Sequence, residues 1–254
     1  MTEDTKFTLH EVAFSKEQIM QLTKPELELM LRLGLAVNEL LLFQRIVGLI
    51  TNSRPGADAA QDMWLAQLIT ALMCTTGKVF EALEVFRKHF LGAPLGRELR
   101  PKLSQETQAA VEVLRALGGR DSLLANIRNL YSFHFHNDED LSPCLDHLAG
   151  DAQLSVYYGL CDANTVHHFA VESLVTSFMR TTEARSGEEA IVRVVNEIQP
   201  ATQAFHRFVM GVEERLFQKI GPLRINSHSI DAADVGVIEQ QRFPTLIRPG
   251  EPVA

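Results

Sequence analysis

The stretch from Thr23 to Ile50 constrains this chain most. Thr23-Lys24-Pro25-Glu26 reads as a helix start. Thr23 takes the N-cap position, Glu26 returns the bond three residues on, and Pro25 sits in the first turn, where no backbone donor is needed. Leu27, Met30, Leu31, Leu41, Leu42, Ile46 and Leu49 follow, and Leu33, Leu40, Phe43 and Val47 widen the apolar face. A face this broad predicts a helix buried on more than one side. Glu28, Arg32, Glu39 and Arg45 interrupt the run, which argues against a membrane span.

The same logic places further helices. Asn52 to Gly56 is a turn cluster. Asp58 caps a second helix, with Gln61 three residues on and core positions Leu65, Leu68, Ile69, Leu72, Thr76, Val79, Phe80, Leu83, Phe86 and Phe90. Gly92 to Pro101 reads as a loop. Ser104 caps a third helix carrying Val111, Leu114 and Leu117, and Gly118-Gly119 ends it. Asp121 caps a fourth, from Ser122 to about His136, stopped by the acids Asp138-Glu139-Asp140, which oppose the helix dipole. Asn164 or Thr165 caps a fifth with Val166, Phe169, Ala170, Leu174 and Phe178. A sixth runs from about Ser186 to Ile220, and Pro200 is expected to kink or split it. The expected strand content is one short piece, Leu154 to Tyr158. Residues 1–22 read as a lead-in, 23–220 as one helical domain and 221–254 as an irregular tail. The expected fold class is all-α: an antiparallel helical bundle with short turns between long amphipathic helices.

Composition narrows the function classes. Of 254 residues, 46% are apolar and 22% charged, enough for a sizeable core. The formal net charge of -8 argues against a protein that coats nucleic acid or docks on anionic lipid, because both need a basic surface. The cysteines Cys74, Cys144 and Cys161 are odd in number, widely spaced and without a CxxC pair, which fits free thiols in a reducing compartment. No apolar leader is visible after Met1-Thr2-Glu3-Asp4, so a cytoplasmic location is expected.

One motif carries chemistry. The fourth helix reads Asn126-Ile127-Arg128-Asn129-Leu130-Tyr131-Ser132-Phe133-His134-Phe135-His136. An Arg followed by Asn, then His after four more residues, late in a helix, resembles the signature of the HEPN superfamily (higher eukaryotes and prokaryotes nucleotide-binding). The long leading helix and the strand-like piece after the motif are similar to the AbiU-type branch, tied to abortive infection in bacteria. The resemblance covers roughly residues 25–220. It implies a four-helix core, a homodimer in which two motif helices face each other, and metal-independent cleavage of RNA in a defence or toxin system, with an antitoxin or other protein as a further partner. It assigns Arg128, Asn129 and His134 to catalysis. His134 would move protons at the ribose 2′-OH or the leaving oxygen, because imidazole titrates near neutrality. Arg128 would hold the scissile phosphate. Asn129 would orient the His or the phosphate. Tyr131, one turn from both Arg128 and His134, and His136 are candidate substrate contacts. No metal or cofactor is implied, since the 2′-OH is the nucleophile.

Helix geometry sets a condition on this pair. Six residues advance the helix so that Arg128 and His134 point about 120° apart with about 9 Å of rise between them. A long Arg side chain or a second copy has to close that gap. The residues also admit a structural reading. Leu123, Ile127, Leu130 and His134 share one stripe, where a His is often a satisfied core residue, and Arg128 could pair with Glu81 or Glu84 of a neighbouring helix. That reading leaves a helical module that dimerises or binds another protein.

Other candidates are weaker. His134-Phe135-His136 and the pair His167-His168 invite a metal, but helical residues two apart point about 200° apart and cannot easily share one ion. Cys74 lies among core positions and reads as packing. Cys144 and Cys161 have no evident base beside them. The acids at 138–140 read as a solvated helix end, and Phe86 and Phe90 as core.

Overall fold

The computed structural model describes residues 6–56, 58–117, 122–128, 154–158, 165–231, 241, 243 and 244. The chain is mainly helical, as expected. Its elements are strand β1 (Lys6–Ala13) and helices α1 (Lys16–Ile19), α2 (Lys24–Thr51), α3 (Asp58–Phe86), α4 (Pro94–Leu99), α5 (Gln105–Leu117), α6 (Leu123–Ile127), α7 (His168–Thr182) and α8 (Gly187–Phe217), then strand β2 (Arg224–Asp231). The described residues group into two compact units. One holds residues 6–41, 81–117, 200–231 and 241; the other holds 42–56, 58–80, 122–128, 154–158, 165–199, 243 and 244. The divisions fall inside α2, α3 and α8, so each long helix contributes to both.

In the first unit the core is aromatic. Phe208 on α8 meets Phe86 edge-on at 5.0 Å and Phe90 at 4.7 Å, and all three rings are buried. Phe86 and Phe90 are therefore core, as their spacing suggested. Leu29, Leu33, Leu99, Val111, Leu114, Val212 and Leu216 fill the same interior. Thr23 opens α2 much as its sequence implies: Glu26 accepts from the Thr23 N–H and hydroxyl, both at 2.9 Å. Glu26 is only 3% exposed and also pairs with Lys219. Ser104 caps α5 by accepting from the Thr107 N–H at 3.2 Å.

Two expectations fail in this unit. The tail was expected to be irregular, yet its residues 224–231 pair with residues 6–13 of the lead-in as an antiparallel ribbon, from Lys6 opposite Asp231 to Ala13 opposite Arg224. Strands so far apart in sequence leave no local hairpin signal. The stretch 92–101 is not a loop either. Pro94 starts α4 after an extended Ala93, and a 3-10 turn, Arg100–Lys102, follows. Gly96 permits this corner: a Cβ there would lie 1.8 Å from the Phe90 carbonyl oxygen. Of the kink or split expected at Pro200, the split is absent: α8 runs through it unbroken. Proline removes one donor without forbidding helical φ.

The second unit centres on Ile50, Leu68, Ile69, Leu72, Val79, Leu124, Ile127, Phe178, Ala190, Val194 and Ile198. Ser122, rather than Asp121, caps α6, accepting from the Ala125 N–H at 3.2 Å. The fifth helix starts later than expected, at His168, with no side-chain cap at His167. Among residues 154–158 the strand reduces to one antiparallel bridge, Tyr157 to Val166. Part of the tail docks here: the Phe243 N–H donates to Ser53 Oγ at 2.5 Å, and Gln67 donates to the Pro244 carbonyl at 3.3 Å.

Helix α2 corrects the sequence most sharply. It was expected to be covered on several sides, yet only 17% of its most apolar 18-residue stretch is buried. The corresponding stretch within Ala60–Leu91 is 56% buried, as suits a core helix. By length and composition both could cross a membrane. In α2 the buried positions are few, among them Leu29, Leu33, Leu40 and Ile50, while Leu31, Leu35 and Leu42 are more than half exposed.

Candidate functional site

Arg128 is the only motif residue among the described ones; Asn129, Tyr131, His134 and His136 lie outside them, as do Asp138, Glu139, Asp140, Cys144 and Cys161. Arg128 forms the C-cap of α6, its N–H reaching the carbonyls of Ala125 and Leu124. The helix is held down by the buried Leu124, Ala125 and Ile127. This places Arg128 at the rim of the second unit's core, half-buried, with its guanidinium carbon 5.3 Å from the centre of the Phe80 ring. A cation this close to a ring centre is worth about 0.5–2 kcal/mol. Phe80, read from the sequence as core, is half-buried.

A cleft of about 350 Å³ opens in the same unit. Leu123 of α6, Thr181, Thr182 and Glu183 at the end of α7, and Arg193, Asn196 and Glu197 of α8 line it. Arg193 is committed there: it donates to the Thr182 carbonyl and, at 2.7 Å, to Glu189. It thereby closes the C-terminal end of α7, where orphan carbonyls need donors. Glu183 turns the chain with φ 54°, the left-handed conformation that ends many helices.

The structure also assembles a polar group that the sequence reading missed. His168, at the start of α7, has a side chain only 7% exposed. Its Nε2 lies 3.6 Å from Asp62 Oδ1 on α3, and its Nδ1 lies 3.8 Å from Glu172 Oε1 one turn along α7. Tyr157 donates its hydroxyl to Asp62 Oδ2 at 2.5 Å and sets its ring edge-on to His168, centroids 6.3 Å apart. The hydrogen bond to Asp62, and burial after it, push the Tyr157 hydroxyl above its ordinary value, so it remains a donor. The bridge between Tyr157 and Val166 and the bond from the Phe169 N–H to the Ser155 carbonyl at 3.0 Å hold these parts in place. The two carboxylates address opposite nitrogens of one ring, so they do not converge on one point. Among the described residues no three His, Cys, Asp or Glu side chains gather in a way that would hold a metal. The four-residue spacing from His168 to Glu172 was the available signal, since it puts both on one helix face; the contributions of Asp62 and Tyr157 come from other elements. His167 is exposed, its ring 6.1 Å from Phe169. Cys74 is free and half-buried within α3.

No protein-family model matches the chain, and no curated protein or solved structure matches it either.

Proposed function

We propose that this chain is a HEPN-type helical bundle of the AbiU-like branch that cuts RNA without a metal, as a cytoplasmic homodimer in a prokaryotic defence or toxin system. The placement of Arg128 carries the reading. It stands at the end of a well-anchored helix, half-buried, with its guanidinium over the Phe80 ring. In this reaction the ribose 2′-oxygen attacks the adjacent phosphorus, the 5′-oxygen leaves, and a cyclic phosphate remains. Arg128 offsets charge on the phosphorane, His134 moves the proton, and Asn129 orients one or the other. Tyr131 and His136 contact the substrate. The net charge of -8 limits RNA contact to a local site rather than a broad surface.

The test is incubation of purified protein with mixed RNA, with and without EDTA. Cleavage that survives chelation and disappears in Arg128→Ala and His134→Ala, with helical content kept, is the expected result. Wild-type protein that cuts no RNA class refutes catalysis. A second reading, a non-catalytic module that associates with itself or another protein, then takes its place. The uncovered apolar face of α2 favours that reading.

A further inference from the structure

Along α2, positions 28, 31, 35, 38, 42 and 45 alternate in steps of three and four, the spacing of a coiled-coil seam. They hold Glu28, Leu31, Leu35, Asn38, Leu42 and Arg45, and all six are exposed. Leu31, Leu35 and Leu42 are 58, 66 and 54% exposed. The seam belongs to one unbroken helix, so its alignment follows from helical periodicity alone. It is about 26 Å long. Glu28 has one local contact, an exposed Lys24 at 3.9 Å, which holds it weakly.

We propose that a second copy of this chain docks on this seam with its own α2 running antiparallel. The residue pattern selects that occupant and that direction. An antiparallel pair with its two-fold axis between Ala36 and Val37 sets Glu28 opposite the partner's Arg45 at both ends. The same axis sets Leu31 opposite the partner's Leu42 and Leu35 opposite the partner's Asn38. Arg32 and Glu39, beside the seam on one flank, also face each other with opposite sign. A parallel pair in register would instead place Glu28 against Glu28 and Arg45 against Arg45, a repulsive arrangement. Asn38, the single polar residue in the middle of the seam, lies opposite the partner's Leu35 in this pairing and costs some stability there. This contact goes beyond the nuclease reading, because the seam is complementary to itself whether or not RNA is cut.

The oligomeric state of the full chain, by light scattering on a sizing column and by sedimentation, tests the pairing. Wild-type protein is expected to be dimeric at micromolar concentration. Leu35→Lys is expected to raise the dimer dissociation constant at least about tenfold with helical content unchanged, since the side chain is exposed in the single chain. Glu28→Arg sets like charges together at both ends and weakens the dimer, as does Arg45→Glu. The double variant Glu28→Arg/Arg45→Glu restores it. A monomeric wild type overturns the proposal. So does a dimer indifferent to Leu35→Lys, or a double variant no tighter than the singles. Wild-type protein that floats with phosphatidylcholine vesicles as a monomer also overturns it, and assigns the face to lipid.

Discussion

Replacing Gly211 with alanine tests how tightly α8 is set against α5. A Cβ at Gly211 would lie 2.1 Å from Thr107 Oγ1, 2.5 Å from its Cγ2 and 2.8 Å from its Cβ. All three distances are inside any real contact, and Thr107 is only 4% exposed. Thr107 has little freedom to yield. Its β-branched side chain has few rotamers in a helix, and its hydroxyl is 2.8 Å from Ser104 Oγ, a hydrogen bond that rotation would break. Overpacking of this kind costs about 1–3 kcal/mol, and a lost hydrogen bond adds about 1 kcal/mol. Against this, alanine in a helix interior gains about 1 kcal/mol over glycine. The net expectation is a loss of about 1–3 kcal/mol. Gly34, in α2, is the control: nothing lies within 4 Å of its missing Cβ, so Gly34→Ala should gain up to about 1 kcal/mol. Urea unfolding followed by circular dichroism measures both. Thr107→Ala in the Gly211→Ala background removes the two shortest contacts and should recover part of the loss. If Gly211→Ala and Gly34→Ala stabilise the protein equally, the packing argument is wrong.

Two carboxylates should respond to pH with opposite sign. At Glu26 burial opposes the charge, but hydrogen bonds from Lys219 and Thr23 outweigh it and hold the carboxyl below its ordinary value. A carboxyl lowered in the folded state lends stability above its unfolded value of about 4.3, and that stability is lost as pH falls through the folded value. Glu26→Gln should therefore cost about 1–3 kcal/mol at neutral pH and flatten the acid limb of a thermal-midpoint profile; an unchanged limb would count against the pairing. Burial pushes Glu213 the other way, above its ordinary value. Its contribution is present below the unfolded value and is lost as pH rises through the folded one, so Glu213→Gln should raise the neutral-pH melting temperature, by roughly 2 °C, and leave it unchanged in acid.

The sequence alone determined the helical character and the starts of α2, α5 and α8. Capping chemistry acts over three or four residues, so Thr23 with Glu26 and Ser104 with Thr107 were legible without neighbours. Core positions such as Phe86, Phe90, Val111 and Leu114 followed from periodicity on their own helices. What surrounds Arg128 was not legible in this way: Phe80 comes from a helix far back in the chain.

Tertiary structure decided whatever depends on distant partners. The ribbon of β1 and β2 joins segments more than two hundred residues apart, so neither carried a local turn signal. The group around His168 draws Asp62 from α3 and Tyr157 from an extended segment. How much of α2 is covered could not be read from its breadth, because hydropathy records what a face prefers and not what the rest of the chain supplies to meet it.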